Sequence, residues 1–519
     1  MNLLEAPCIH ARTSRGLSSL TLPGVLAGLD KGDVSGFPEL RPHPEAPWHS
    51  FLVQIGALAQ RATESRSPVD AATWSDRLRT LSRQHGAGSR GWCLHTSSQS
   101  APAILQPADP GGLKWYTHAT PDDGVDILVN AKYHDRKFDV ARWARPEHWL
   151  YALVTTQACA GYDGPRLYHT ARINGAFASR TFLGTAPIDD ATGAVDPSAW
   201  WRRDVDILLS SRPRTVADPV AGAQRPALLW LVPWREREQL ALSDLDPWFL
   251  DTPRRIRIIR RPAGSLATRR AGSIRPRIDA AGAHGVTGDP WTAVHARDSK
   301  AFTLPGPLND RQLLDLLFGT NWTPPLCVRW DTPSASRQLA IVAHGLAKRD
   351  KKITGFYQRF IPLPPGAAAV LAAGTVSNEI ADTLRADLAR LFGALRDAAT
   401  QGAGTSAAPR PARHLIRAAT RALEHELDDL LRFFWDALIT DDIAHSHEVR
   451  RRRFASAAHR ALDRSLANVH ATTSSRPLFA ARARARLHRS LHFVFNPPDN
   501  DHSQPSVDGP DSRAATAAG

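Results

Sequence analysis

The hydrophobic period changes once along these 519 residues, at the punctuation Pro362, Pro364 and Pro365, and that change limits the chain to two architectures in series. Beyond it, Ile380, Leu384, Leu388, Leu391 and Leu395 step by 4, 4, 3 and 4, which places them on one stripe of a helix. A Gly/Ala/Pro stretch over 402–411 ends that helix. Leu423, Leu427, Leu430, Leu431, Phe434 and Leu438 predict a second helix. Phe454, Leu462, Leu466 and Val469 predict a third, over about 447–469, and Leu487, Leu491 and Val494 a fourth after Pro477. Four amphipathic helices with short or moderate connections predict an antiparallel four-helix bundle over 366–496. Residues 497–519 are polar and rich in Pro, Asp, Ser and Ala, so a disordered tail is expected there.

Residues 1–365 read as a large mixed α/β domain, which makes the fold class α+β. Strand-like runs at 227–232, 255–259 and 339–343 lie between Pro, Gly and Asp turns. Two helices interrupt them, one carrying Trp48, Phe51, Leu52, Ile55 and Leu58, the other Trp149, Leu150, Leu153 and Val154. The longest apolar runs fall far short of the roughly 18 residues of a membrane span, and the first thirty residues lack a signal-peptide pattern. A cytoplasmic protein without a membrane partner is expected. Cys8, Cys93, Cys159 and Cys327 have neither zinc-ribbon nor disulfide-framework spacing and read as small buried hydrophobes.

The formal charge is +14, and it is concentrated. Residues 254–300 hold eleven Lys/Arg against Asp279, Asp289 and Asp298, a local +8; residues 450–489 hold eleven arginines against Asp463 alone, a local +10. Arginine supplies 57 of the 65 cations, a preference that suits phosphate and base contacts but that GC-rich coding would also produce. Two blocks with almost no countercharge point to a polyanion, whose binding releases counterions, or to solvated faces.

Motifs for catalysis are absent: there is no phosphate loop, nucleophile elbow, HExxH or clustered acidic triad. His134-Asp135 has the form of an HD-type metal centre, but its neighbours Lys132, Arg136 and Lys137 oppose a divalent cation. The informative segment is 161–184. Gly161, Gly164 and Gly175 permit close backbone approach, and Arg166, Arg172 and Arg180 offer donors between Tyr168 and Phe177. The same residues also fit a glycine-rich turn with scattered surface arginines.

In order along the chain come Asn2, Leu3, Leu4, Pro7 and Ile9, then Trp48, His49, Phe51 and Gln54, and the 130–137 loop. Ala171, Arg172, Ile173, Asn174 and Gly175 follow with Ser179 and Arg180, then Trp201, Arg202, Arg203 and Asp204. Gly288, Asp289, Pro290, Trp291 and Thr292 precede His344, Gly345, Leu346 and the basic turn 348–352. This ordered combination resembles CasA, the large subunit of the type I-E CRISPR interference complex Cascade. Cys8 stands where a tryptophan is common in that family, and the cysteine-rich insertion of some members is missing.

The resemblance implies a non-catalytic subunit without metal or cofactor. Such a subunit contacts the guide RNA 5′ end, reads the protospacer-adjacent motif in double-stranded DNA from the degenerate minor groove, wedges the duplex open and supports recruitment of a helicase-nuclease. Its implied partners are the guide CRISPR RNA, the target duplex, and the backbone, small and 5′-handle-binding Cascade subunits. The implied glycine loop is Gly161, Tyr162, Asp163 and Gly164, with Arg172, Asn174 and Arg180 following; Arg275 or Arg277 would be the basic finger. The wedge is expected between Trp322 and Leu339, where Arg329 and Trp330 stand in place of a family member's glutamine. Asn130, Lys132, His134 and Lys137 would touch the guide 5′ end. Lys348, Arg349, Lys351 and Lys352, with Arg450, Arg451, Arg452 and Arg453, would line the displaced-strand path. Two alternatives stay open: a metal-dependent nuclease centred on His134 and Asp135, and a basic scaffold.

Overall fold

The structure is a computed structural model, described over residues 1–63, 68–85, 88–118, 125–126, 145–211, 225–262, 264–304, 306, 308–330, 337–349, 352–373, 375–401, 410–427, 434–435, 437, 443–467 and 476–495. The chain forms two compact units: Met1–Asp382 with Leu430–Asp441, and Thr383–Asp429 with Asp442–Gly519. Residues 497–519, expected to be a tail, lie outside the described residues. No helix among the described residues is long and apolar enough to cross a membrane.

The first unit opens with strands β1 (Ile9–Thr13), β2 (Gly16–Leu20) and β3 (Val34–Gly36), in order β2-β1-β3. Helix α1 (Leu22–Lys31) joins them. Thr21 accepts from Gly24 N at 3.1 Å to cap its start, and Gly32 at φ +83° ends it, a conformation glycine adopts without a Cβ clash. Helix α3 (Ala71–Arg83) packs against it and also against α2 (Glu45–Thr63), which is buried on nearly every side. Strand β4 (Trp115–His118), helix α4 (Pro146–Cys159), strand β5 (Thr181–Pro187) and helix α5 (Pro197–Ser211) follow. The core they share is rich in indoles, including Trp48, Trp74, Trp92, Trp149 and Trp201.

Further on, β6 (Leu240–Ala241) pairs in parallel with β9 (Ile278–Asp279), whereas β7 (Arg255–Arg260) pairs antiparallel with β8 (Leu266–Ala271) in the sheet β4-β8-β7. Strand β10 (Val294–His295) pairs with β11 (Trp322–Thr323), with helix α6 (Asp310–Phe318) between them. A capping box formed by Asn309 and Gln312 starts α6. The longest strands, β12 (Leu339–Arg349) and β13 (Lys352–Pro362), form a hairpin that joins β5 in the order β13-β12-β5, with a register shift at Ala347/Lys348. Helix α7 (Ala367–Ala373) follows. The run 227–232, expected to be a strand, is a buried 3-10 turn over Leu229–Leu231. Pro226 and Pro233 bracket it, and its amides turn inward, Leu231 N to Leu228 O at 3.0 Å and Val232 N to Leu229 O at 3.2 Å.

Helix α8 (Thr375–Gln401) crosses from the first unit into the second, which also holds α9 (Arg410–Glu426), α10 (Ile443–Ala467) and α11 (Arg476–Phe495). The predicted stripes are buried: Leu384, Leu388, Leu391 and Leu395 on α8, Phe454 and Leu462 on α10, Leu487 and Leu491 on α11. Helix α10 packs against both α9 and α11. The mixed α+β class is observed, with small, mostly antiparallel sheets and helices.

Candidate nucleic-acid interface

Helix α4 runs into the glycine loop directly, and the loop is tightly tethered. A Cβ on Gly161 would overlap Ala178 O and come within 2.5 Å of Lys348 Nζ, so only glycine fits there. Gly164 faces open space but holds φ +134°, and Gly175 holds φ +85°. Tyr162 N donates to Ala176 O at 2.7 Å and Thr170 N to Ala160 O at 2.9 Å, which folds the segment back on itself. The Lys348 ammonium donates to Tyr162 O at 2.8 Å. The Arg254 guanidinium reaches both Gly161 O and, at 3.2 Å, the Asp163 carboxylate. Burial, with Arg254 nearby, pulls the Lys348 amine down to about 8.

A second segment lies against the loop. Ser273 N donates to Arg166 O at 2.9 Å, the Tyr168 hydroxyl donates to Ile274 O at 2.8 Å, and the Gly272 backbone leaves room for the Arg166 side chain. Arg166 and Arg275 are exposed there, beside exposed Phe177 and Ile274. Cations interleaved with apolar rings over a glycine-permitted backbone suit a phosphodiester backbone and a base edge. Of the expected site residues, the fold thus gathers Gly161, Tyr162, Asp163, Gly164, Arg275 and Lys348 in one place, with half-buried Asn174 further along the same segment.

Several expected contacts are instead structural. Arg180 is buried and grips the Asp289 carboxylate with two donors at 2.6 and 2.7 Å, over the Phe182 ring. Arg172, also buried, donates to Phe249 O at 2.7 Å and stacks over the Phe249 ring; burial lowers it to about 10. Arg277 donates to Val232 O at 2.8 Å and Pro233 O at 3.0 Å, and burial lowers it to about 9, which leaves Arg275 as the finger candidate. Arg254, Arg255 and Arg257 of the same +8 block are buried too, with Arg255 and Arg277 both over the Trp234 ring. Much of that block therefore fastens loops to the core and does not face a ligand. The cause is the guanidinium itself: one group satisfies several carbonyls while its plane packs on an indole.

The residues expected to form the wedge are likewise tied into the fold. Arg329 donates to Ser211 Oγ at 3.1 Å, its carbonyl is held by Arg203 at 2.8 Å, and half-buried Trp330 stacks parallel to Phe318. The hairpin beside the glycine loop is β12–β13, whose tip carries the basic turn. The side chains of Arg349 and Lys352, and the whole of Lys351, lie outside the described residues, as do Asn130, Lys132, His134, Asp135 and Lys137.

In the second unit Arg450 is buried and donates to the Asp387 carboxylate at 2.7 Å, with Arg451 at 3.7 Å from the same group. It is a packing residue, whereas Arg452 and Arg453 are exposed. Among the described residues, Glu39, Glu147 and His148 bring ligand-type atoms within 4.8 Å of one another, but His10 and Arg145 already occupy the two carboxylates. Burial keeps the thiols of Cys159 and Cys327 protonated, the former pushed up to about 12, and all four cysteines are free.

No family profile matches this sequence, and no curated protein does. Solved structures match it over almost its whole length. CasA (Cse1) of Thermus thermophilus superposes with a TM-score of 0.63 at 17% identity, covering 95% of this chain and 99% of that one. The chain has the CasA fold. Cse1 from Acidimicrobium ferrooxidans matches at 15% identity and TM-score 0.58 over 96% of this chain and 98% of its own. A chain of a CRISPR RNA-guided surveillance complex matches at 14% identity and TM-score 0.53 over 94% and 99%. At such low identity the CasA likeness lies in the backbone, and the residues above must be weighed on their own contacts.

The sequence missed Arg254 as the clamp of the loop and Lys348 as its second tether. Only the Arg166–Arg180 spacing around the glycines hinted at a built segment. Nothing local marks a lysine that lies 186 residues from the carbonyl it holds.

Proposed function

We propose that this chain is the non-catalytic large subunit of a type I-E CRISPR RNA-guided surveillance complex in the cytoplasm. It would read the protospacer-adjacent motif through the loop Gly161, Tyr162, Asp163 and Gly164 with Arg275, and help open the duplex for R-loop formation. The near full-length CasA fold, with a glycine loop clamped by Arg254 and Lys348, carries the reading. In this assignment the wedge is the tip of the β12–β13 hairpin, because it is the hairpin tied to the loop. Residues 130–137 contact the guide RNA 5′ end, and the α8–α11 helices close as an antiparallel four-helix bundle. Exposed Arg452 and Arg453 lie on the displaced-strand path. The other Cascade subunits and a helicase-nuclease complete the partner set.

The test is a gel-shift titration of the reconstituted complex, guide RNA included, against duplex targets with and without the flanking motif. Arg275→Ala and deletion of residues 161–164 should each weaken binding only to the motif-bearing target, while Arg277→Ala acts through stability alone. Equal affinity of the two interface variants for the motif-bearing duplex sinks the assignment. Cleavage of DNA by the complex alone with Mg²⁺ or Mn²⁺, abolished by His134→Ala, overturns the non-catalytic part.

A further inference from the structure

Strand β12 pairs with β5 from Leu339 to Gly345, whereas its pairing with β13 runs on to Arg349. The end of the hairpin thus overhangs the three-stranded sheet as a two-stranded ribbon, a form that needs outside support. Leu346 and Ile353 pack its base into the core. At the register shift Thr354 of β13 has no partner opposite it, and an extra residue of this kind bends the ribbon and re-aims the side chains beside it. Lys348 is the neighbour of that bulge, and its Nζ donates to Tyr162 O at 2.8 Å. Among the described residues, this is the hydrogen bond that joins the overhang to another segment. The loop leaves room for it, since a Cβ on Gly161 would stand 3.2 Å from Lys348 Cδ and 2.5 Å from Nζ.

The surroundings make this bond conditional. Arg254 donates to the adjacent carbonyl, Gly161 O, so two cations converge on consecutive peptide groups. Asp163 is the carboxylate facing them, and Arg254 already holds it at 3.2 Å. Arg270 of β8 also faces Arg254 and Asp163, and burial lowers it to about 10. A neutral amide in place of the ammonium would avoid that repulsion, but its bond would lack the assistance of charge. We propose that Lys348 is a positioning residue that makes the glycine loop and the hairpin tip one body, so that capture of the motif at the loop is passed to the hairpin that opens the duplex. The inference rests on the motif-reading assignment and supplies the link between its two halves. A pH dependence follows. Burial and Arg254 pull the amine down to about 8, so the charged tether prevails below that value and weakens as pH rises through it.

Two measurements test the link, on the wild type and on Lys348→Met, which keeps the length of the side chain and removes its charge. In hydrogen exchange of the full chain without DNA, the variant should lose protection both at Tyr162 and Thr170 and along 346–349. Loss on one side alone, or on neither, overturns the link. The second measurement uses the reconstituted complex with guide RNA, at saturation, on a motif-bearing duplex with 2-aminopurine beside the motif. The variant should open that duplex about tenfold more slowly or worse, in keeping with one charge-assisted bond. The wild-type rate should fall with a midpoint near pH 8 while the variant's stays flat. Because the wild-type profile needs no substitution, it decides the matter even where the variant folds poorly. Equal opening rates, or a flat wild-type profile, overturn the proposal. So does an equal loss of affinity for motif-bearing and motif-free duplexes with a salt slope lower by about one, which identifies Lys348 as a phosphate contact. A wild-type complex that binds both duplexes equally refutes the motif-reading assignment instead; the transmission then falls with it, and the paired loss of protection leaves the tether alone standing.

Discussion

Replacing Gly161 by alanine probes the loop at its tightest point. The added methyl would meet two things: the Lys348 ammonium, which can swing away, and Ala178 O, which cannot, because it belongs to backbone that enters β5. The loop itself must move. Overpacking of this kind costs about 1–3 kcal/mol, and loss of the charge-assisted bond from Lys348 to Tyr162 O adds about 1.5–3 kcal/mol. Because partial relaxation spares some of each, about 3 kcal/mol is expected, which is roughly two orders of magnitude in affinity for any ligand that needs the native loop. Hydrogen exchange of the segment around residues 160–178 should show lost protection, and gel shifts of the reconstituted complex the matching loss of motif-dependent DNA binding. Adding Lys348→Ala should not rescue the variant, since the clash with Ala178 O persists. Gly164→Ala, in open space, pays only for its dihedral, about 1–2 kcal/mol. Native protection together with wild-type affinity in Gly161→Ala would refute the close approach and the argument built on it.

Three further outcomes follow from buried charge. Asp289→Asn leaves Arg180 and Arg172 buried without their carboxylate and should destabilise the first unit by about 3–5 kcal/mol, read by urea unfolding. Arg450→Ala removes the closest partner of buried Asp387, leaving it the longer contacts to Arg390 and Arg451, and should cost the second unit about 1–3 kcal/mol, while Arg452→Ala, at an exposed position paired among the described residues to Glu448, should change stability little; thermal melts of the two separate packing from surface charge within one arginine run. Burial depresses His344 to about 4 from an ordinary 6.5, so the unfolded chain takes up a proton that the native chain refuses. Its contribution is complete above pH 6.5 and lost as pH falls towards 4, and the acid limb of a stability-pH profile should flatten in that window in His344→Phe.

The helices were legible because a stripe such as Leu384, Leu388, Leu391 and Leu395 needs nothing beyond its own spacing to specify a buried face. The turn at 227–232 was not, since an apolar run between two prolines fits a strand or a buried turn equally, and its amides settle the matter only once Leu228 and Leu229 are placed. The wedge was sought near Trp330 from order along the chain. The loop's actual neighbour is the hairpin carrying Lys348, a contact fixed by the pairing of β12 with β5.

From composition and order alone, then, came the class, the switch to helices, the glycine loop and the sign of the charge. Which arginines can meet a polyanion was decided by tertiary structure. Arg275 and Arg277 are two residues apart, yet one faces solvent and the other donates to carbonyls of Val232 and Pro233. A guanidinium becomes structural when carbonyls from distant segments converge on it and an indole covers its plane, and no local pattern encodes that convergence.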